Sequence, residues 1–153
     1  MIQLVPILDP AEFAACLEQI ARRFAAANAP VEHRPVEEAL AAARARHAET
    51  WAQGPATAGH FLRRIVDREG IAHGSCWYAL APRGEAYLYD IFIEEDARRR
   101  GFGRAALRAI EEELRRAGCR QLWLNVFAAN EGAVRFYERC GYQLGTMHFA
   151  KLL

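Results

Sequence analysis

No stretch of this chain approaches the roughly 20 consecutive apolar residues that a membrane-spanning helix requires, so the sequence predicts no membrane association of that kind. The start, Met1-Ile2-Gln3-Leu4-Val5-Pro6, lacks the basic and apolar regions of a secretory signal, and a cytoplasmic location is expected. Cysteine is sparse: Cys16, Cys76, Cys119 and Cys140 are widely spaced and include no C-x-x-C pair. Such spacing suits reduced thiols and argues against a disulfide framework or a zinc site, so no metal is expected. Net charge is nearly absent at +1, which removes the polybasic argument for nucleic acid or a membrane surface as partner. Internal repeats, linkers and low-complexity tracts are also missing, although alanine crowds residues 39–45.

What remains is a chain of 153 residues, about half hydrophobic and a quarter charged, enough to bury one core as a single domain over residues 1–153. Ile2 to Ile7 reads as a strand. Asp9-Pro10 reads as an N-cap followed by proline at the first helical position, opening a helix to about Ala27. Phe13, Leu17, Ile20 and Phe24 form its apolar stripe, and Asn28-Ala29-Pro30 is expected to break it. A second, alanine-rich helix runs from Pro35 to about Gln53, ended by Gly54-Pro55.

The period then changes. His60–Asp67, Ser75–Ala81 and Ala86–Ile93 read as strands of an antiparallel meander, with turns at 68–70 and 82–85. A helix from about Gly103 to Ala117 carries Leu107, Ile110 and Leu114 and is closed by Gly118. Gln121–Phe127 reads as a strand, Asn130–Cys140 as a short helix, and Gln143–Leu153 as a last strand or two short ones. A helix between the strands at 86–93 and 121–127 implies a parallel crossover. The fold class is therefore α/β (α+β), a mixed central sheet flanked by helices.

The most informative stretch is Arg98-Arg99-Arg100-Gly101-Phe102-Gly103-Arg104, between the third meander strand and the following helix. Glycines let the backbone approach a ligand closely, first-turn N–H groups are unpaired donors, and the helix dipole favours negative charge. Arginine adds bidentate phosphate contacts. The loop reads as a phosphate grip. Gly101-Phe102-Gly103-Arg104-Ala105-Ala106 also satisfies the dinucleotide pattern G-x-G-x-x-G/A. That reading fails on context, because Glu94–Arg100 separate the glycines from the strand and no acidic residue ends the strand at 121–127.

Two motifs together carry a resemblance. Arg98-x-x-Gly101-x-Gly103 resembles the R/Q-x-x-G-x-G/A signature of the GCN5-related N-acetyltransferase (GNAT) family. About 30 residues on, the strand Leu122–Phe127, then Asn130, a helix bearing Tyr137, and Gly141-Tyr142 resemble the second motif of that family. The likeness covers about residues 85–145 well and the N-terminal half in element order alone. It implies acetyl-CoA as donor, with backbone N–H groups of Arg99 to Arg104 cradling the pyrophosphate and some of the arginine side chains in contact with phosphate. It implies that Arg98 fixes the loop, that Ile91, Phe92 and Ile93 pair with the pantetheine arm by strand addition, and that Asn130 hydrogen-bonds the same arm. Phe92 or Ile93 would offer an oxyanion donor from its backbone.

Acyl transfer to an amine needs a neutral amine, donors for the oxyanion and a proton for the leaving thiolate. The resemblance makes Tyr137, which would sit beside the thioester sulfur, the candidate acid; periodicity by itself reads it as a helix-core tyrosine. Asp90, a carboxylate inside an otherwise apolar strand, is the candidate base, acting directly or through water; its alternative is a buried structural carboxylate. The next strand, where some relatives have glutamate, has Asn125 instead, which leaves open a water chain with no dedicated base. The acceptor would be a small-molecule or peptide amine, with His73, Cys76, Tyr78, Tyr89 and Trp51 as candidates for its surroundings. His33, His47, His60 and His148 show no triad or metal spacing. Homodimers are common in the family, and the C-terminal stretch has the length to pair across such an interface. The competing function is a catalytically idle acetyl-CoA-binding module on the same fold.

Overall fold

The computed structural model describes residues 2–153. Its sheet has five strands in the order β1 (Gln3–Pro6), β2 (His60–Val66), β3 (Ala72–Ala81), β4 (Glu85–Ile93) and β5 (Gln121–Leu124). The first four pair antiparallel, and β5 lies parallel to β4. The helices are α1 (Pro10–Glu32), α2 (Val36–Thr50), α3 (Phe102–Arg116) and α4 (Glu131–Arg139). This is the mixed sheet and parallel β4–α3–β5 crossover expected from the pattern. Among the described residues, no helix is long and apolar enough to cross a membrane.

By internal packing the chain forms two compact units. One comprises the chain up to Leu17 together with Thr50–Asn125, and the other Glu18–Glu49 with Val126–Leu153. The first holds the whole sheet and α3. Its core is Ile65, Cys76, Tyr78, Ala86, Leu88, Ala106, Leu107 and Ile110. Helix α3 buries Ala106, Leu107, Ile110 and Leu114, a stripe at helical spacing, and packs on β1, β3 and β4. Its C-terminal turn carries Arg115 and Arg116, paired with Glu111 and Glu112 one turn back, where positive charge suits the dipole. Gly74 on β3 is required by close approach: a Cβ there would sit 2.0 Å from the Phe92 carbonyl oxygen.

Three expectations are corrected. Helix α1 does not break at 28–30 but runs through Pro30 to Glu32. Pro30 has no N–H to give the Ala26 carbonyl, so the helix forgoes one hydrogen bond there, while Ala25 and Ala29 pack against Ala39 and Leu40. Strand β5 stops at Leu124 rather than Phe127, because its pairing with β4 ends at Leu88↔Leu124. Residues 143–153 form no strand and are exposed throughout, Leu144, Met147 and Phe149 included. Strand-like residues alone do not make a strand, which needs a neighbouring ladder for its N–H and C=O groups.

Candidate functional site

The opening in the sheet is made by β4. Its register with β3 runs Tyr78↔Leu88 and then Trp77↔Asp90, leaving Tyr89 without a partner as a β-bulge. The bulge resets the alternation, so Leu88 and Ile91, three residues apart, lie opposite Tyr78 and Cys76 on one face. Tyr89 and Asp90 both fall on the Trp77 side. Tyr89 stacks on Trp77 at 4.4 Å between ring centroids and touches Tyr87 at 4.7 Å. Beyond the bulge β4 is paired on one side only: β3 accompanies it to Ile93, whereas β5 accompanies it only over Glu85–Leu88.

The N–H of Glu94 donates to the His73 carbonyl at 2.9 Å. Alternation along an antiparallel ladder then turns the Phe92 N–H towards β3 and the Ile91 and Ile93 groups towards the open edge. The Ile93 carbonyl accordingly accepts from Arg98 Nε at 3.0 Å. Arg98 thereby ties the loop back to the strand, its guanidinium lying 5.6 Å from the centre of the Phe92 ring.

The loop enters α3 through two left-handed residues, Arg99 at φ 59° and Gly101 at φ 89°. Gly101 occupies the N-cap position, no side chain caps the helix, and its first turn carries no acid. The other helix starts differ. Asp9 Oδ1 accepts the Glu12 N–H at 2.8 Å at the start of α1, Glu37 and Glu38 sit in the first turn of α2, and Asn130 caps α4. The amide donors and positive dipole of α3 are thus left for an external anion, with the exposed Arg99, Arg100 and Arg104 around them.

Asn130 and Tyr137 belong to the second unit, Asn130 as the N-cap of α4 and Tyr137 within it. Asn130 Oδ1 accepts the Ala133 N–H at 3.1 Å, so its carbonyl is committed to the cap and its NH₂ is the group left for a ligand. Tyr137 is half-buried between Phe136 and Tyr142, ring centroids 5.2 and 5.6 Å away, and its carbonyl accepts the Tyr142 N–H. Asn125 is the first residue after β5.

Two acceptor-side candidates are core. Cys76 and Tyr78 are buried, and the Tyr78 hydroxyl donates to Glu113. Burial, reinforced by the Asp90 and Glu113 charges, pushes the Cys76 thiol far above its usual range. Burial first, then the bond to Glu113, does the same to Tyr78. Both stay neutral. Trp51 is buried among Phe13, His60 and Trp77. A pocket of about 180 Å³ lies between Pro6, Ile7, Phe13, Trp51, Thr57 and His60. None of residues 88–104 lines it, so it belongs to the β1–β2 corner and not to the open edge of β4.

The bulge and the packing around Phe102 were missed in the sequence. The bulge had a signal, the adjacent Tyr89-Asp90 that interrupts apolar alternation. The second had none: His73, called a pocket candidate, instead stacks on Phe102 with centroids 4.1 Å apart.

The acetyltransferase (GNAT) family model matches residues 29–142. The uncharacterized N-acetyltransferase YdgE of Bacillus subtilis is 34% identical over 103 residues, 65% of this chain and 66% of that protein. The ribosomal protein bS18-alanine N-acetyltransferase of Escherichia coli is 40% identical over 63 residues, 41% of this chain and 43% of its own length. The chain thus spans about two thirds or less of the curated relatives it matches. The crystal structure of the acetyltransferase YycN from Bacillus subtilis superposes with a TM-score of 0.91 at 28% identity, covering 100% of this chain and 99% of that one.

Proposed function

The chain belongs to the acetyltransferase (GNAT) family, and on that premise we propose that residues 1–153 are a single acetyl-CoA-dependent N-acetyltransferase domain acting on a primary amine by direct attack. The observation that carries this reading is the pairing of an uncapped, acid-free helix start at Gly101 with the one-sided edge of β4. The first suits a pyrophosphate and the second an extended amide-bearing arm, and the two are joined by one short loop.

Acetyl-CoA supplies an activated acyl thioester and a thiol leaving group. The N–H groups of the Arg99–Arg104 turn hold its phosphates, with the arginine side chains adding charge. Ile91 and Ile93 offer the outward backbone groups of β4, pairing with the pantetheine arm and supplying the oxyanion donor. Phe92 spends its N–H within the sheet and contributes its side chain to the Arg98 tie. Asn130 donates its amide to the same arm.

Asp90 takes a proton from the acceptor ammonium, directly or through water, to give the neutral amine that attacks the thioester carbonyl, and Tyr137 donates a proton to the thiolate that leaves. Asn125 has no basic group to offer, which shifts the base role to Asp90, with a water chain lacking a dedicated base as its alternative. The acceptor is a small-molecule or peptide amine; the matched E. coli relative acts on an alanine of a ribosomal protein, which favours including peptide N-termini in any panel.

Thiol release from acetyl-CoA, measured against a panel of polyamines, amino acids and peptide N-termini, tests the proposal. Acceptor-dependent release is the expected result. Tight binding of CoA with no turnover on any acceptor would assign the chain as a binding module instead.

A further inference from the structure

The turn that opens α3 has a mechanical problem. Phe102 lies between Gly101 and Gly103, the two residues with the most backbone freedom to lose, and no side chain caps the helix. Something other than local propensity must hold this turn in shape before a ligand arrives.

The Phe102 ring is held from the β2–β3 hairpin. His73 lies flat on it, with centroids 4.1 Å apart and planes 19° from parallel. The imidazole is itself fixed: Nε2 is 2.6 Å from Asp67 Oδ2, and both side chains are largely buried at 12% and 16% exposure. Asp67 Oδ1 accepts the N–H groups of Glu69 and Ile71 at 3.0 and 2.9 Å, so the carboxylate is locked into the hairpin turn. The His73 carbonyl meanwhile accepts the Glu94 N–H at the end of β4. One residue thus joins the hairpin, the open strand and the first residue of α3. Arg100 sits 5.2 Å from the same Phe102 ring, completing its surroundings.

We propose that His73, oriented by Asp67 and stacked on Phe102, is a positioning residue that holds the Arg99–Arg104 turn ready for the donor's pyrophosphate. The assignment rests on the reading of that turn as the donor's phosphate site. His73 touches neither phosphate nor acyl group; it acts through Phe102 by removing turn conformations that binding would otherwise have to remove.

The test is CoA affinity by calorimetry together with steady-state kinetics on acetyl-CoA and on S-acetyl-pantetheine, which has the thioester but no pyrophosphate. His73→Ala is expected to weaken CoA binding about tenfold, the affinity equivalent of one aromatic pair, with kcat at saturating acetyl-CoA within about twofold and kcat/KM for S-acetyl-pantetheine unchanged. His73→Phe, which keeps the stack and loses the Asp67 pair, should restore CoA affinity to within about threefold of the wild type. Wild-type affinity in His73→Ala overturns the proposal, as does an equal loss on both donors. If His73→Ala does not fold, wild-type CoA affinity in Phe102→Ala, which removes the same stack from the other side, overturns it. Failure of the wild type to bind CoA at all would instead remove the donor reading, so the two failures are distinct.

Discussion

Asp90 is held opposite Trp77 immediately after the bulged Tyr89, where β5 has ceased to accompany β4. A carboxylate at that position is half-buried, beside two stacked rings, on the strand whose edge is open. If it takes the amine proton, Asp90→Asn leaves the acceptor to lose that proton to solvent, and a free lysine-type amine does so only near pH 10.4. The pH–rate profile of Asp90→Asn should therefore rise at higher pH than that of the wild type. An unshifted profile would make Asp90 a structural carboxylate.

Tyr137 is placed by α4, half-buried with its backbone locked by the Gly141 turn. Removing only its hydroxyl leaves the ring contacts to Phe136 and Tyr142 in place. Tyr137→Phe should lower kcat by about two to four decades, the range of general acid catalysis, with CoA affinity unchanged. Equal turnover in the two proteins would remove Tyr137 from the mechanism.

Gly101 adopts φ 89°, yet a Cβ there would meet no atom within 4 Å. Gly101→Val thus carries backbone strain of about 1–3 kcal/mol, while its Cβ meets nothing in the fold. The same side chain would stand where phosphate has to approach the turn. The variant should fold with a slightly lowered Tm and show no CoA binding by calorimetry; normal affinity would displace the phosphate site from this turn.

His60 accepts the Trp77 indole N–H at Nδ1, 3.1 Å away, and burial lowers its pKa from the ordinary 6.5. A proton on Nδ1 would abolish that acceptor. The unfolded chain therefore binds more protons than the native one just below pH 6.5, and stability falls as pH drops through that value, being full above it. Urea unfolding between pH 5 and 8 should show a steeper decline for the wild type than for His60→Gln. Parallel curves would mean that His60 titrates as it does when unfolded.

Much of this architecture was legible because it is local. Capping at Asp9, the turns at 68–70 and 82–85, the stripe Leu107-Ile110-Leu114 and the glycine turn at 101–103 each depend on residues within a few positions. The failures lie where partners are distant. Pro30 looked like a helix end, yet Ala25 and Ala29 meet Ala39 and Leu40 and the helix continues. Residues 143–153 have the composition of a strand and no ladder beside them. Asn130 read as a ligand contact and is first of all a helix cap.

The residue pattern by itself established a mixed α/β chain with a glycine–arginine turn before a helix and a second motif bearing Asn130 and Tyr137. These follow from periodicity, turn chemistry and motif order, which a linear chain carries intact. Which N–H groups of β4 face outward, where its bulge falls, and that Asp67 and His73 brace Phe102 could be settled only by folding. Register and ring stacking join residues tens of positions apart, and no local preference encodes those pairings.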